Sequence, residues 1–200
     1  MARPLSFRRE TAVAAATRTF LRRGLHATSA EDLCRATGLG RSSLYNSFGS
    51  KDGLFAECLG DYLGATRERG EAFLSDADLP VLDRIAALLR FIAAEEAERA
   101  AAGEPRGCLA VNTVAELADD PEHAESMRRI DEDTDARLRL LTDALRAGQA
   151  AGEVTAAVSA EGLAAFVNAA IAGLRITSQG GTAADRLDDI VATALRALAP

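Results

Sequence analysis

Several features are scarce in this 200-residue chain, and each shortage excludes a class of protein. The three cysteines are an odd number without CxxC spacing, which excludes a disulfide framework or a cysteine-based zinc module. No run of 18 apolar residues is present, and the first residues lead into no signal-like apolar segment. We therefore expect a soluble, cytoplasmic protein with no membrane partner, no metal and no cofactor.

Basic charge is also in short supply, and it is unevenly distributed. The formal net charge is −7, yet residues 1–60 contain nine basic and five acidic side chains, which gives +4. Residues 61–200 contain fourteen basic and twenty-five acidic side chains, which gives −11. Lys51 is the only lysine. A basic head on an acidic body is typical of a DNA-binding protein with a separate domain that does not touch DNA.

Alanine-rich apolar content, no tryptophan and few alternating β-branched runs predict an all-α fold. Apolar periodicity and capping residues predict about nine helices. Two of them lie within residues 28–48. The others are expected at about 6–23, 51–74, 80–102, 108–117, 121–151, 160–178 and 183–198.

The stretch from Thr28 to Phe55 has the pattern of a helix-turn-helix. Thr28 and Ser29 are helix-start residues, and each is followed three residues later by an acid, so a capping box is available in either register. Gly38 ends the first short helix, where a positive φ is needed. The second begins with Arg41, and the buried side is expected to consist of Leu33, Leu39, Leu44 and Phe48.

This stretch also resembles the N-terminal domain of TetR/AcrR-type transcription regulators. The resemblance rests on Gly38-Leu39, Leu44-Tyr45, Phe48 and the segment SKDGLF at 50–55, and it covers about residues 8–60. It implies a helix-turn-helix DNA-binding domain at 1–50 and a ligand-binding and dimerisation domain at 51–200. The implied protein is a ligand-responsive regulator, usually a repressor. It binds a near-palindromic double-stranded operator as a homodimer and is released by a small-molecule inducer.

Seven residues are candidates for DNA contact. Arg41, Ser42 and Ser43 begin the recognition helix, and Arg41 is suited to a bidentate contact with guanine or to a phosphate contact. By resemblance, Tyr45, Asn46 and Lys51 match positions that touch the DNA backbone, and Thr28 reaches a phosphate. The alternative is that these side chains are solvated surface residues, with Tyr45 partly in the core.

The body offers fewer signals for ligand binding. The candidates share a polar group or an aromatic ring within an apolar helical segment: Phe91, Cys108, Asn112, Phe166, Asn168 and Arg175. The alternative is that the aliphatic stripes are core and that the polar groups bond to neighbouring backbone. The segment around Cys108 also resembles the NemR-like subset of the family, which senses electrophiles and oxidants. That implies a thiol sensor, although the lysine that pairs with the sensing cysteine there is missing here.

The last two predicted helices carry apolar stripes that are compatible with an interface between two copies. The predicted interface consists of Phe166, Ile171, Leu187, Ile190, Val191, Ala194 and Leu195. Periodicity alone allows the same residues to cover the core of their own chain, and the resemblance favours pairing, since the family joins two such helices across a twofold axis.

Two other classes of protein fit the sequence less well. An enzyme is not indicated, because His26 and His123 are expected to be isolated, with no nucleophile–base or metal-ligand spacing, and His123 beside Glu122 and Glu125 is expected on a solvated face. A purely structural helical protein accounts for the apolar stripes but not for the basic head.

Overall fold

The computed structural model describes the backbone of residues 5–200 and the side chains of residues 9–200. This part of the chain forms nine α-helices and one short 3-10 helix, and no strand, as the sequence predicts. None of these helices is both long enough and apolar enough to cross a membrane. The α-helices are α1 (Leu5–Arg23), α2 (Ala30–Thr37), α3 (Arg41–Phe48), α4 (Lys51–Leu74), α5 (Val81–Ala101), α6 (Leu109–Leu117), α7 (Ala124–Ala150), α8 (Ala160–Gln179) and α9 (Ala184–Leu198).

The main departure from the predicted boundaries lies before α7. Pro121–His123 form a 3-10 turn, and α7 begins only at Ala124. Asp120 caps this turn, because its Oδ1 accepts a hydrogen bond from the backbone N–H of Glu122 at 2.9 Å. Proline at the first position of the turn needs no hydrogen-bond acceptor, since it has no N–H. The result is a short rigid connection between α6 and α7.

The chain folds into two compact units. Unit 1 comprises Met1–Gly64 and Cys108–Ile130, and unit 2 comprises Ala65–Gly107 and Asp131–Pro200. Unit 1 is therefore discontinuous in sequence, because α6 and the start of α7 return to it. The predicted division into domains at residue 50 stays a prediction. It describes continuous segments of the sequence, whereas the two units are defined by contacts in space.

Unit 1 is built around aromatic and leucine side chains from α1, α2, α3 and the first part of α4. Phe20 and Phe55 meet edge to face, with ring centroids 5.1 Å apart. Leu109 and Leu117 of α6 join this core. Leu33, Leu44 and Phe48 are buried as predicted, and Leu39 packs against the same cluster while remaining partly exposed.

Unit 2 is held together by the apolar faces of its long helices. Its core draws on α5, α7, α8 and α9, and α5 lies against both α8 and α9. Leu187, Val191 and Ala194 of α9 are at most 3% exposed within their own chain. Three charged residues, Glu96, Asp133 and Arg175, are buried in the same unit.

Candidate nucleic-acid interface

The first motif helix, α2, begins with a capping box in one of the two registers that the sequence allows. Ser29 is the N-cap: its hydroxyl accepts from the N–H of Asp32 at 3.1 Å, and its own N–H donates to the Asp32 carboxylate at 3.0 Å. Hydrogen bonds from Ser29, aided by Arg23, hold the pKa of Asp32 below its ordinary value. Gly38 ends the helix with φ +70°, so the tight turn forms without strain.

The second motif helix, α3, presents a polar face on an apolar base. Leu44 is fully buried and Phe48 is 8% exposed, whereas five residues are exposed to solvent: Arg41, Ser42, Ser43, Asn46 and Ser47. Tyr45 is half-buried, and the Arg41 guanidinium lies 5.7 Å from the centre of its ring. The N-cap is Gly40, which offers no side chain to the first helical amides. This end of α3 therefore combines exposed N–H groups with donor side chains, which suits phosphate and base edges.

Thr28 and Lys51 are set back from this polar face. Thr28 is 1% exposed, and its hydroxyl donates to the carbonyl of Gly24 at 2.5 Å. The ammonium of Lys51 donates to the carbonyls of Leu25 at 2.8 Å and Thr28 at 3.3 Å. A phosphate contact by either residue stays a prediction, and it requires Thr28 to exchange its present partner. Through these hydrogen bonds Lys51 connects the start of α4 to the turn before α2.

Arg9 supports the far end of α3, a role that the sequence did not indicate. Its guanidinium stacks 4.6 Å from the centre of the Phe48 ring and donates to the carbonyl of Ser47 at 2.9 Å. The same group pairs with Glu57 of α4. Arg9 thus fixes the C-terminal end of α3 to α4 while remaining partly exposed.

Glu116 of α6 holds the turn between α1 and α2, and the sequence did not indicate this either. Its two carboxylate oxygens accept hydrogen bonds from the N–H groups of Leu25 at 2.9 Å and His26 at 2.7 Å. Gly24 has φ +77°, and a Cβ at this position would overlap the Glu116 carboxylate. Glycine is needed here for both the backbone conformation and the close approach.

The structure brings the two histidines together, so the expectation that they are isolated is wrong. Their ring centroids are 6.1 Å apart, and Asp120 lies beside both rings. The side chain of His123 is only 12% exposed, so it does not lie on a solvated face beside Glu122 and Glu125. The 3-10 turn, absent from the predicted boundaries, turns His123 inward.

The six predicted ligand residues fall into both units. Cys108 and Asn112 belong to unit 1, and Phe91, Phe166, Asn168 and Arg175 belong to unit 2. The Asn112 side chain donates to the carbonyl of Leu21 at 3.4 Å, and Asn168 accepts from Arg137 at 2.8 Å. Asn112 thus bonds to a backbone carbonyl, as the alternative interpretation expected, whereas the partner of Asn168 is a side chain. The role of both amides in ligand binding stays a prediction.

Arg175 has a structural partner that explains its burial. It lies 2.8 Å from Glu96 and 3.0 Å from Glu95, and Glu96 also accepts from the N–H of Gly107 at 2.9 Å. Burial raises the pKa of Glu95, but Arg175, Arg99 and Arg69 outweigh it and lower the pKa overall. The guanidinium is therefore already neutralised by carboxylates within the chain.

Cys108 is the N-cap of α6 and is partly exposed. The sequence predicted Cys108 in the first turn of this helix, whereas the helix begins one residue later, at Leu109. The hypothesis that it senses electrophiles stays a prediction. Cys58, by contrast, is fully buried, and burial raises the pKa of its thiol to about 12, which makes it unreactive as a thiolate.

The predicted dimer residues divide into a buried set and a surface set. Leu187, Val191 and Ala194 are at most 3% exposed and are covered by their own core, so their assignment to an interface is corrected. Phe166 is 41% exposed, and a groove of about 480 Å³ runs beside it between α8 and α9. Its lining residues are Phe166, Ala169, Ala170, Asp189, Ile190, Thr193 and Ala194. Ile171, Ile190 and Leu195 are partly exposed at the same helices, and their place in an interface stays a prediction.

Comparison with known proteins places both ends of the chain in one family. Residues 12–58 match the family model "Bacterial regulatory proteins, tetR family". Residues 81–196 match the model "Tetracyclin repressor-like, C-terminal domain". Together they span the candidate interface and most of unit 2.

Individual relatives agree with these models. The HTH-type transcriptional repressor ComR of Escherichia coli is 30% identical over 198 residues, covering 97% of this chain and 90% of that protein. A cysteine mutant of the TetR family transcriptional regulator CifR, solved with 26-base-pair operator DNA, is 33% identical with a TM-score of 0.81. That match covers 98% of this chain and 99% of the other. Reduced E. coli NemR shares the fold at 22% identity, with a TM-score of 0.80 over 96% and 97% of the two chains.

Proposed function

The chain belongs to the TetR family of bacterial regulatory proteins, and we propose that it is a transcriptional repressor and not an enzyme. It binds a near-palindromic operator as a homodimer and is released when a small molecule binds. The ComR relative is itself a transcriptional repressor, and the CifR relative binds operator DNA.

The observation that carries this proposal is the polar face of α3. Arg41, Ser42, Ser43 and Asn46 project from a helix whose other side is anchored by Leu44 and Phe48. Arginine forms bidentate hydrogen bonds to guanine, and serine and asparagine donate to base edges and phosphates. The net charge of +4 over residues 1–60 favours approach to DNA, whereas the −11 over residues 61–200 disfavours a second nucleic-acid surface.

Dimerisation is proposed through α8 and α9. Phe166 is an exposed aromatic ring beside an apolar groove, and small residues (Ala169 and Ala170) line that groove. A second copy related by a twofold axis inserts its own Phe166 there, because such an interface uses the same surface patch twice. Two copies of α3 then face successive major grooves, which requires half-sites about one helical turn apart.

Selection from random DNA duplexes tests the proposed function. We expect the protein to enrich one sequence with two inverted half-sites, and to bind it far more tightly than an unrelated duplex at moderate salt. Enrichment of no sequence would remove the DNA-binding proposal.

The dimer surface is tested by Phe166→Glu. A charge placed in the apolar groove is expected to convert the dimer to a monomer, as measured by light scattering after gel filtration, and to reduce operator affinity at least tenfold, because single-headed binding lacks the second half-site. Leu79→Glu is the matched control, since Leu79 is 42% exposed and lies in the loop before α5. A Phe166→Glu protein that stays dimeric would show that the interface lies elsewhere.

A further inference from the structure

We propose that His26, Asp120 and His123 form a binding site for a divalent first-row transition ion in unit 1. One ligand atom from each of the three lies within 4.8 Å of the others. Imidazole and carboxylate are ligands that such ions prefer. These are the only two histidines of the chain, and they come from the α1–α2 turn and the α6–α7 connection.

The orientation of the ligands fits a metal site. Nε2 of His123 lies 3.7 Å from Oδ2 of Asp120, and Nε2 of His26 lies 3.9 Å from the same oxygen. Ligand atoms in a tetrahedral zinc site are about 3.3 Å apart, so a contraction of about half an ångström brings these two pairs to coordination distance. The two imidazole nitrogens lie within 4.8 Å of each other and must also approach when an ion binds. The other oxygen of Asp120, Oδ1, caps the 3-10 turn and fixes the direction of the carboxylate.

A supporting carboxylate is already in place behind His26. Nδ1 of His26 lies 3.3 Å from Oε1 of Glu116. Metal-binding histidines usually donate their second N–H to a carboxylate, which fixes the tautomer and leaves the other nitrogen free for the metal. Glu116 is itself held by the N–H groups of Leu25 and His26. His26 is 59% exposed, so an ion reaches the site from solvent and water completes its coordination.

The location gives the site a regulatory consequence, which rests on the proposed function. His26 lies three residues before Ser29, the N-cap of α2, and α2 supports α3 in the helix-turn-helix. An ion that draws His26 toward Asp120 shifts the start of α2 relative to α6 and α7. Occupancy of the site and operator affinity are then coupled, and the coupling is reciprocal.

Zinc binding to the untagged dimer tests the site. We expect one Zn²⁺ per chain by competition with a chromophoric chelator, and a rise in Tm of about 5 °C or more at saturating zinc. Mg²⁺ at the same concentration is expected to have no effect, because it prefers oxygen ligands in octahedral geometry.

Four variants locate the ion. His26→Ala, His123→Ala and Asp120→Asn are each expected to weaken zinc binding by tenfold or more, since each removes a ligand atom. Asp120→Asn keeps an oxygen to cap the 3-10 turn, so its metal-free Tm should match that of the parent. Asp119→Asn alters an exposed neighbouring carboxylate and should bind zinc normally. Absence of stoichiometric binding, or equal binding by all four variants, would overturn the site.

The regulatory consequence is measured on the selected operator with and without zinc. We expect zinc to change the operator affinity of the parent and of Asp119→Asn at least threefold. The operator affinity of Asp120→Asn should be the same with and without zinc. Zinc binding without any change in operator affinity would overturn the coupling but not the metal site itself. Failure to bind any specific DNA would instead overturn the proposed function, and chelator competition would still decide the metal site.

Discussion

The two compact units of this chain are stabilised in different ways. Unit 1 consists mostly of short elements, and its turns are fixed by directional contacts: Glu116 on two amides, Lys51 on two carbonyls, and Ser29 with Asp32 at a helix start. Unit 2 consists of long helices joined by apolar faces, with buried charges around Arg175 and at Asp133, which pairs with Arg67 and Arg137. Unit 2 also has fixed loops, since Glu153 accepts from the N–H of Val81 and Gln149 donates to the carbonyls of Thr155 and Val158, but its core is formed by the long helices themselves.

The largest loss of stability is expected when the charge cluster around Arg175 in unit 2 is disrupted. Arg175→Met removes the 2.8 Å contact and leaves Glu96 buried, with the Arg99 guanidinium 3.8 Å away. We expect a loss of about 3–5 kcal/mol in the free energy of unfolding, measured by urea denaturation, because an uncompensated buried charge is costly.

Two further variants test whether this loss comes from leaving a charge buried or merely from breaking an ion pair. The double variant Glu96→Gln/Arg175→Met keeps an acceptor for the N–H of Gly107 and should recover most of the loss. Arg146→Met breaks an exposed pair with Glu161 and should cost less than about 1 kcal/mol. An Arg175→Met protein as stable as Arg146→Met would show that the cluster contributes nothing.

The next effect tests the directional contacts of unit 1. Glu116→Gln replaces one of the two acceptor oxygens with a donor, which leaves either Leu25 or His26 without its partner. We expect a loss of about 1–3 kcal/mol in the free energy of unfolding. Amide hydrogen exchange should accelerate at residues 24–28. Asp119→Gln is the control, and equal exchange in both variants would remove Glu116 from this role.

Two variants distinguish a base contact from a backbone contact in the helix-turn-helix. Arg41→Ala should cost about 1–3 kcal/mol in operator affinity and relax the preference at one base pair, because a bidentate contact is lost. Lys51→Ala should weaken all duplexes alike, and its contacts to Leu25 and Thr28 imply an additional loss in Tm that Arg41→Ala does not show. Mobility shifts on operator and unrelated DNA, with melting curves of both proteins, distinguish the two. Identical profiles would contradict these roles.

The smallest effect concerns the cap of α2. Ser29→Ala should cost about 1 kcal/mol at neutral pH. The folded-state pKa of Asp32 lies below 3.8, so its contribution is fully present above pH 3.8 and is lost as the pH falls through the folded pKa. The difference between parent and variant should therefore narrow below pH 3.8. Acid denaturation curves check this, and a constant difference would show that Asp32 does not take part.

The sequence predicted what is local. Leu44 and Phe48 as the buried side of α3, Ser29 as a cap, and the start of α4 at Lys51 follow from periodicity and capping, which depend on neighbours within one turn. Glu116 reaches its amides across 90 and 91 residues, and no periodicity reports such a partner. Leu187 and Val191 show the same limit, because a stripe marks a buried face without indicating whether its own chain or a second copy covers it.

A half-turn insertion into the selected operator tests whether two copies of α3 contact DNA together. About five added base pairs rotate one half-site to the opposite side of the duplex, whereas about ten restore its direction. We predict that the five-pair insertion lowers affinity at least tenfold and that each isolated half-site binds just as weakly. Full affinity for the five-pair operator would show that the two copies of α3 do not contact DNA together.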